Sequence, residues 1–513
     1  MSAGRAKVRT LKRPQDGDLG DTRPDSATSH PTRSTLVTTR PAWLLAAALL
    51  ALAPLPLGAQ TTSNATLSPG QQLARGIYEQ LIQVNTADSA TGTAPAVEAV
   101  ARRFLSVGFA PSDVQILTPP GKPTQANLVV RYRGRQPAAG KPLLLVAHMD
   151  VVPALTSDWT VPPFTLTEKD GWFYGRGSID DKAMAAIFVA NLIRARQGGW
   201  VPSRDIVLAL TADEETGSED GMQWLVNNHR QRIDAAYAIN EGANGDLRNG
   251  RPISMGVQAA EKVPVTFTLT VTNKGGFAGL PRPDNAIYQL ANGLVRLSRY
   301  TFPAQLNDVT RAYFERKAAV ESTTVAAAMR TIVRNPSDPA ALKILSARPS
   351  YNAMLRTTCA ATQLSAGHAS NALPQTATAT VNCRMLPGTT VGAVERALVG
   401  ALSDTAIHLS AAPRPSAGPS PVPPELLATI ERVTAQVFGE GVPVLPMMNV
   451  GATDAVFLRA VGIPTYGMSG LFTDPDDVRI HGKDERVSVK SFFQAQEFHR
   501  RLMGALAGSI PPT

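Results

Sequence analysis

A chain of 513 residues, 43% of them hydrophobic and 18% charged, is too long for one ordinary domain and too apolar to stay unfolded, so two or three compact units are expected. Its net charge is +9, of which +4 belongs to the first 59 residues. No Lys/Arg run interleaved with aromatics occurs in the body, which sets nucleic-acid binding aside.

Residues 1–40 are polar and carry eight Lys or Arg against four Asp, and residues 42–57, AWLLAAALLALAPLPL, are uncharged and mostly apolar before GAQ. A positive region, a short apolar segment and a small-residue exit describe a secretory signal peptide. Export, periplasmic or secreted, is therefore expected, with cleavage near Ala59–Gln60. An uncleaved anchor is the competing reading, but about 16 apolar residues are short for a membrane span.

Residues 60–70 are rich in Thr, Ser and Asn, and the pattern then alternates up to about 261. QQLARGIYEQLIQV and APAVEAVARRFLSVGF carry helical periodicity, while ANLVVRYRG and PLLLVAHMD read as strands. KAMAAIFVANLIRARQGG is a helix closed by Gly-Gly, DIVLALTAD a buried strand, GMQWLVNNHR a helix and DAAYAINEG another strand. Strands alternating with helices predict an α/β fold, a mostly parallel sheet flanked by helices. VPVTFTLTVTNKGG then brings the Val/Thr alternation of an exposed antiparallel strand. A long helical region over about 284–346, two strands (LRTTCAATQL, ATATVNCRML) and the helix TVGAVERALVGAL follow. This α+β block, 262–412, is expected as an inserted domain ending in the Pro/Ser-rich APRPSAGPSPVPPE. Strand–helix alternation resumes over 424–507, so 66–261 and 413–507 form one discontinuous domain.

The two cysteines, Cys359 and Cys383, fall in the two strands of the inserted block. A hairpin centred near residue 371 would set them nearly opposite, and an exported protein permits a disulfide. Two free buried thiols fit the same pattern.

The segment LLLVAHMDVVPA, 143–154, breaks its apolar run with His148 and Asp150. Two residues apart on a strand, they project to the same side. Four more places set acids or a histidine at a strand end or loop start: Asp180 and Asp181 in GRGSIDDKA, Asp213, Glu214 and Glu215 in TADEETGS, Glu241 in INEGA, and His481 in RIHGKDERV. Ligands of open α/β sheets sit beyond the carboxyl ends of the strands. Carboxylates gathered there repel one another unless a cation is present. A metal or a pair of metals would supply it, and zinc accepts these donors. Each signal alone has a plainer reading: a hydrogen-bonded His–Asp pair, a solvated acidic loop, or Asp180 as a helix cap. In this order, each at a predicted strand end, they point together to a metal site.

HMDVVPA, DWTVPPFTLTEKDGWFYGRGSIDDK, TADEETGS, NEG, NALPQTATATVNCRMLPG, GATDA and HGKDERV resemble the di-zinc exopeptidases and amidohydrolases that include carboxypeptidase S, aminoacylase, glutamate carboxypeptidase and succinyl-diaminopimelate desuccinylase. The W…PPF…DG…GRG stretch is most similar to the carboxypeptidase S branch. The resemblance spans about 72–506 and implies two Zn2+ per subunit, with cobalt or manganese as substitutes. It implies that His148 and Glu241 bind one zinc, Glu215 and His481 the other, and that Asp180 bridges them. Asp150 would hold the other ring nitrogen of His148, and Glu214 would be the general base. The inserted block would be a lid and dimerisation domain, its Asn371 and Arg384 binding a substrate carboxylate. Hydrolysis of a small peptide or N-acyl amino acid next to a free carboxylate follows as the expected activity.

Two places depart from the family pattern. In NKGGFAGLPRPDNAI the usual lid histidine is Phe277, and the two serines after it are Ala278 and Gly279. Phe donates no hydrogen bond to an oxyanion, a loss of about 100–1000-fold in turnover where one donor is removed. His368, close to Asn371, is a candidate replacement donor, against the plainer reading of an exposed loop histidine. Asp484 stands where Asn is common. Phe277 also keeps open a second class of function, a binding protein on the same fold with impaired catalysis, and leaves the assembly as either a homodimer through the lid or a monomer.

Overall fold

The structure, a computed structural model, describes residues 67–135, 140–217, 220–411, 416–508 and 510. The expected signal peptide, 1–59, lies outside them. Among the described residues no helix is long and apolar enough to cross a membrane.

Among the described residues, ten strands form the main sheet. At its centre Ile206–Thr211, Leu143–His148, Tyr237–Asn240 and Thr465–Gly467 run side by side in parallel. The first two are buried at every position, which is why both read as unbroken apolar runs. Alternate residues serve opposite faces. Leu143, Leu145 and Ala147 pack with the helices Lys182–Gln197 and Val489–Ala507. Leu144 and Val146 pack with Met222, Leu225 and Leu458 on the other side. Antiparallel strands extend one flank, Val114–Leu117 on Asn127–Tyr132 on Ile206–Thr211, so the sheet is mixed but parallel where it matters for the site.

A separate antiparallel sheet is ordered Thr358–Ala366, Thr376–Met385, Val263–Thr272, His408–Ala411. Its inner face, with Val265, Phe267, Leu269, Val381 and Cys383, is closed by Leu290 and Leu297 of one helix and Val394 and Leu398 of another. Threonines fill the outer face, as the Val/Thr alternation requires. Cys359 and Cys383 are direct cross-strand partners and form a disulfide.

The segment expected to be a single inserted block divides between the two cores. Its helical region is five helices, Ala286–Arg299, Asp308–Lys317, Thr323–Arg334, Pro339–Ser346 and Pro349–Leu355. Only the first packs on the small sheet. The others put Phe314, Met329, Ile332 and Leu345 into the large core beside Val444 and Leu445. Pro and Asn punctuate the breaks: Asn307 caps the second helix with a reciprocal side-chain box, and Pro339 opens the fourth.

Candidate metal centre and active site

The parallel strands end together at one edge, because His148 pairs with Thr211 and Gly467 with Asn240. The residues that follow them, Asp213 to Glu215, Glu241 and Ser469, line one cavity of about 550 Å³ with Asp180, Asp181 and His481. That size suits a small-molecule substrate.

Asp180 is the centre of the arrangement. Its Oδ1 lies 2.9 Å from His148 Nε2 and its Oδ2 lies 3.0 Å from His481 Nε2. His481 Nε2 is also 3.1 Å from Glu215 Oε1. Donor atoms of His148, Asp180 and Glu215 all fall within 4.8 Å of one another. Glu241 follows directly on the strand Tyr237–Asn240 and lines the same cavity. Each of the five residues expected to hold metal is therefore in one place.

Asp150 lies against His148 and also holds the next loop. His148 Nδ1 sits 3.1 Å from the main-chain oxygen of Asp150 and 3.5 Å from its carboxylate, so the main-chain carbonyl is the better acceptor for the ring N–H. The carboxylate also accepts the main-chain N–H groups of Glu214 (3.2 Å) and Glu215 (2.9 Å). It thereby fixes the loop that carries both acids. Asp213, with φ 67°, turns that loop and accepts the N–H of Asp220 at 2.9 Å. His481 has φ 62°. Both are left-handed conformations that side-chain-bearing residues rarely adopt, and both aim a residue into the site.

The charges are unbalanced without a cation. Burial, with Asp180 and Asp181 alongside, pushes the Glu241 carboxyl well above its ordinary value. Burial does the same to Glu214, with Glu241, Asp454 and Glu215 adding to it. Against burial, the carboxylates of Asp150 and Asp180 hold the His148 imidazole protonated well above its ordinary range. Hydrogen bonds to Asp180 and Glu215 raise His481 to about 10. Protons on these imidazoles stand where a metal's charge would. Buried Asp181 Oδ2 has no hydrogen-bond partner among the described residues. Imidazole nitrogens and carboxylate oxygens converging on shared points are a donor set that fits divalent metal.

Arg384 lines the cavity, with Lys262, Pro264 and Asn449 around it. Asn371 and His368 do not line it. Both are in the exposed turn between Thr358–Ala366 and Thr376–Met385, where Ala372 pairs with Phe277. The cavity is at the opposite end of that ribbon, at Val263 and Pro264, and nine steps of strand at about 3.3 Å each span roughly 30 Å. Within one chain these two residues and Phe277 are out of reach of Asp180.

Several residues around the site carried no assignment in the sequence. Buried Asp454, in GATDA, accepts the Thr211 hydroxyl at 2.6 Å behind His148. Asp484 accepts both the N–H (2.8 Å) and the hydroxyl (3.0 Å) of Thr160, tying the His481 loop to the DWTVPPF segment. Lys262 follows Glu261 at the join of two strands and Glu485 is one of four consecutive charges in KDER, so spacing does not single out either from its charged neighbours.

The sequence pattern of peptidase family M20/M25/M40 matches residues 144–505. The chain is similar to the N-fatty-acyl-amino acid synthase/hydrolase of Xenopus tropicalis, with 33% identity over 72% of this chain and 74% of that protein. It is also similar to the Dictyostelium discoideum protein named "Probable carboxypeptidase S-like 2", with 27% identity over 74% of each. Among solved structures, the M20 family metallo-carboxypeptidase Sso-CP2 from Sulfolobus solfataricus shares the fold, with a TM-score of 0.63 and 17% identity over 85% of this chain and 99% of that one. A match running from the His148 strand to the last helix, joined to a relative at one-third identity, makes this chain a member of peptidase family M20/M25/M40 and a hydrolase of peptide or amide bonds.

Proposed function

We propose that the protein is an exported di-zinc hydrolase that cleaves N-acyl amino acids, and peptides of similar shape, at the amide next to a free carboxylate. One observation carries the reading: a single carboxylate, Asp180, spans two imidazoles with its two oxygens, 2.9 Å to one and 3.0 Å to the other. The N-acyl side is favoured by the named activity of the Xenopus relative.

His148 and Glu241 would hold one ion, Glu215 and His481 the other, and Asp180 both. Bound there, the metals lower the pKa of water and polarise the scissile carbonyl. Glu214 projects into the same cavity and, unlike Glu215, is engaged by neither imidazole. It takes the proton of the attacking water and passes it to the leaving amine. Arg384 orients the substrate by its carboxylate. Asn371 and His368 contribute only if a second copy brings its ribbon end to this cavity, which makes a homodimer the natural assembly for any such role. A reading as a catalytically impaired binding protein has Phe277 in its favour and the full donor set with Glu214 against it.

Hydrolysis of a panel of dipeptides and N-acyl amino acids, short and long in the acyl chain, tests the proposal. Cleavage should disappear with a chelator and return with zinc. No chelator-sensitive cleavage anywhere in the panel overturns it. N-terminal sequencing of secreted material should begin near Gln60.

A further inference from the structure

We propose that Lys262 acts with Arg384 as a two-cation seat for the substrate's α-carboxylate, with Thr358 aiming the lysine ammonium. This rests on the hydrolase reading above and adds a specificity-determining residue to it.

Lys262 occupies the junction between the two sheets, directly after the strand Arg251–Glu261 and directly before Val263–Thr272. Its main-chain N–H donates to Asn449 O at 2.9 Å, which pins the junction to the large sheet. The side chain is fully buried, yet it lines the same cavity as Arg384, Glu215 and His481. Its Nζ donates to Thr358 Oγ1 at 3.0 Å. Thr358 is the direct cross-strand partner of Arg384, and Pro264 pairs with Arg384 on the other side. Directly paired residues present their side chains on the same face. Lys262, Thr358 and Arg384 therefore form one cluster at the cavity's end of the small sheet.

What sets the cluster apart is its missing counter-charge. Arg176 is satisfied by Glu485, Arg459 by Glu261, and Lys182 by the carbonyls of Leu81 and Val84; buried Arg356 donates to Ser346 and also has no acid among the described residues, but it does not line the cavity. Among the described residues no carboxylate lies within ion-pair distance of Lys262 or Arg384, and the one hydroxyl on Nζ leaves further N–H directions open. A buried cation without an anion is costly, and two side by side are more so. Burial and the adjacent Arg384 accordingly push the Lys262 ammonium down to about 7. A carboxylate entering the cavity would relieve both, accepting from the guanidinium fork and from the ammonium at once. The acids that hold the metals lie across the same cavity, so an anion seated on Lys262 and Arg384 points the adjoining amide toward Asp180 and Glu214.

The test uses the zinc-loaded protein with Glu214→Gln to arrest turnover, and calorimetry of two probes, an N-acyl amino acid and its α-carboxamide. Adding Lys262→Met should weaken the acid by about 10–100-fold, the scale of one charge-assisted hydrogen bond, and leave the carboxamide unchanged. Lys262→Arg should recover most of the loss. With Glu214 intact, Lys262→Met should raise KM for the acid far more than it lowers kcat. Its melting midpoint should stay level or rise, because an unpaired buried charge has been removed. Equal weakening of acid and carboxamide, or none for the acid, overturns the proposal. Because binding is read without turnover, absence of hydrolysis across the substrate panel defeats the hydrolase reading and leaves this measurement decisive by itself.

Discussion

Arg176 and Glu485 form a fully buried ion pair at 2.5 Å, although 309 residues separate them. Glu485 also accepts the main-chain N–H groups of Gly177 (3.1 Å), Ile179 (2.9 Å) and Asp180 (3.3 Å). Arg176 in turn donates to the carbonyls of His481 (3.3 Å) and Gly482 (3.1 Å). One pair thus fixes both loops whose tips, Asp180 and His481, must face each other. Removing a single partner strands the other charge in the interior. Glu485→Ala should cost about 3–5 kcal/mol by denaturant unfolding. Glu485→Gln keeps an acceptor for the loop but loses the charge, and should lower zinc affinity by about 10–100-fold. Unchanged zinc affinity in Glu485→Gln would show that the loops hold their places without the pair.

Asp150 and Glu214 make separable predictions. Glu214→Gln should reduce kcat by at least about 100-fold while two zinc ions per chain remain bound, since it is assigned proton transfer and no metal. Asp150→Ala releases the N–H groups of both Glu214 and Glu215, so catalysis and metal affinity should fall together. Metal content by mass spectrometry of dialysed protein, set beside kcat, distinguishes the two. Equal metal loss in both variants would contradict the assignment of Glu214.

Most of the cluster proposed to hold metal was legible because its residues interrupt strong patterns. His148 ends a strand with no exposed position, Glu241 ends another, and Asp213 to Glu215 follow a third; parallel strands side by side necessarily bring such ends together. The hold of Asp150 on the Glu214–Glu215 loop was not legible, because a hydrogen bond to the main chain of a loop 64 residues away leaves no mark in spacing. Asn371, His368 and Phe277 share motif neighbourhoods with the site but are separated from it by the length of a ribbon, a distance that motif order does not encode. The helices from Asp308 to Leu355 show an apolar face without saying which core receives it. Lys262 is one lysine at the join of two strands, and the role proposed for it rests on there being no acid within ion-pair distance among the described residues.

The Cys359–Cys383 bridge closes a loop with a sequence separation of 24 between neighbouring strands of the small sheet. Cross-linking a loop of that size removes unfolded-state entropy worth about 3 kcal/mol. Replacing both cysteines with serine should lower stability by about that amount in urea unfolding, and dithiothreitol should produce the same shift in the unmodified protein. Metal content should not change, because the bridge lies in the small sheet and the proposed ligands belong to the large one. A midpoint indifferent to reductant would mean that the thiols are not joined in the folded protein.

His499 sets a limit on acid stability. It is buried in the last helix against Phe188 and Phe498, and its Nε2 lies 2.9 Å from the carbonyl of Ser469, to which the neutral ring donates. Burial lowers its pKa to about 4, against 6.5 for a free imidazole. The unfolded chain therefore takes up this proton at a higher pH than the folded one does, and stability rises with pH across the interval. The contribution is complete above about pH 6.5, is lost progressively as pH falls toward 4, and changes no further below that. The full difference is on the order of 3 kcal/mol. Carboxylates titrate in the same window, so the comparison must be with a variant: His499→Gln keeps a donor for Ser469 but has no proton to gain. Between pH 6.5 and 4 its unfolding free energy should fall less steeply than that of the unmodified protein, and parallel curves would rule out the imidazole as the acid-sensitive group.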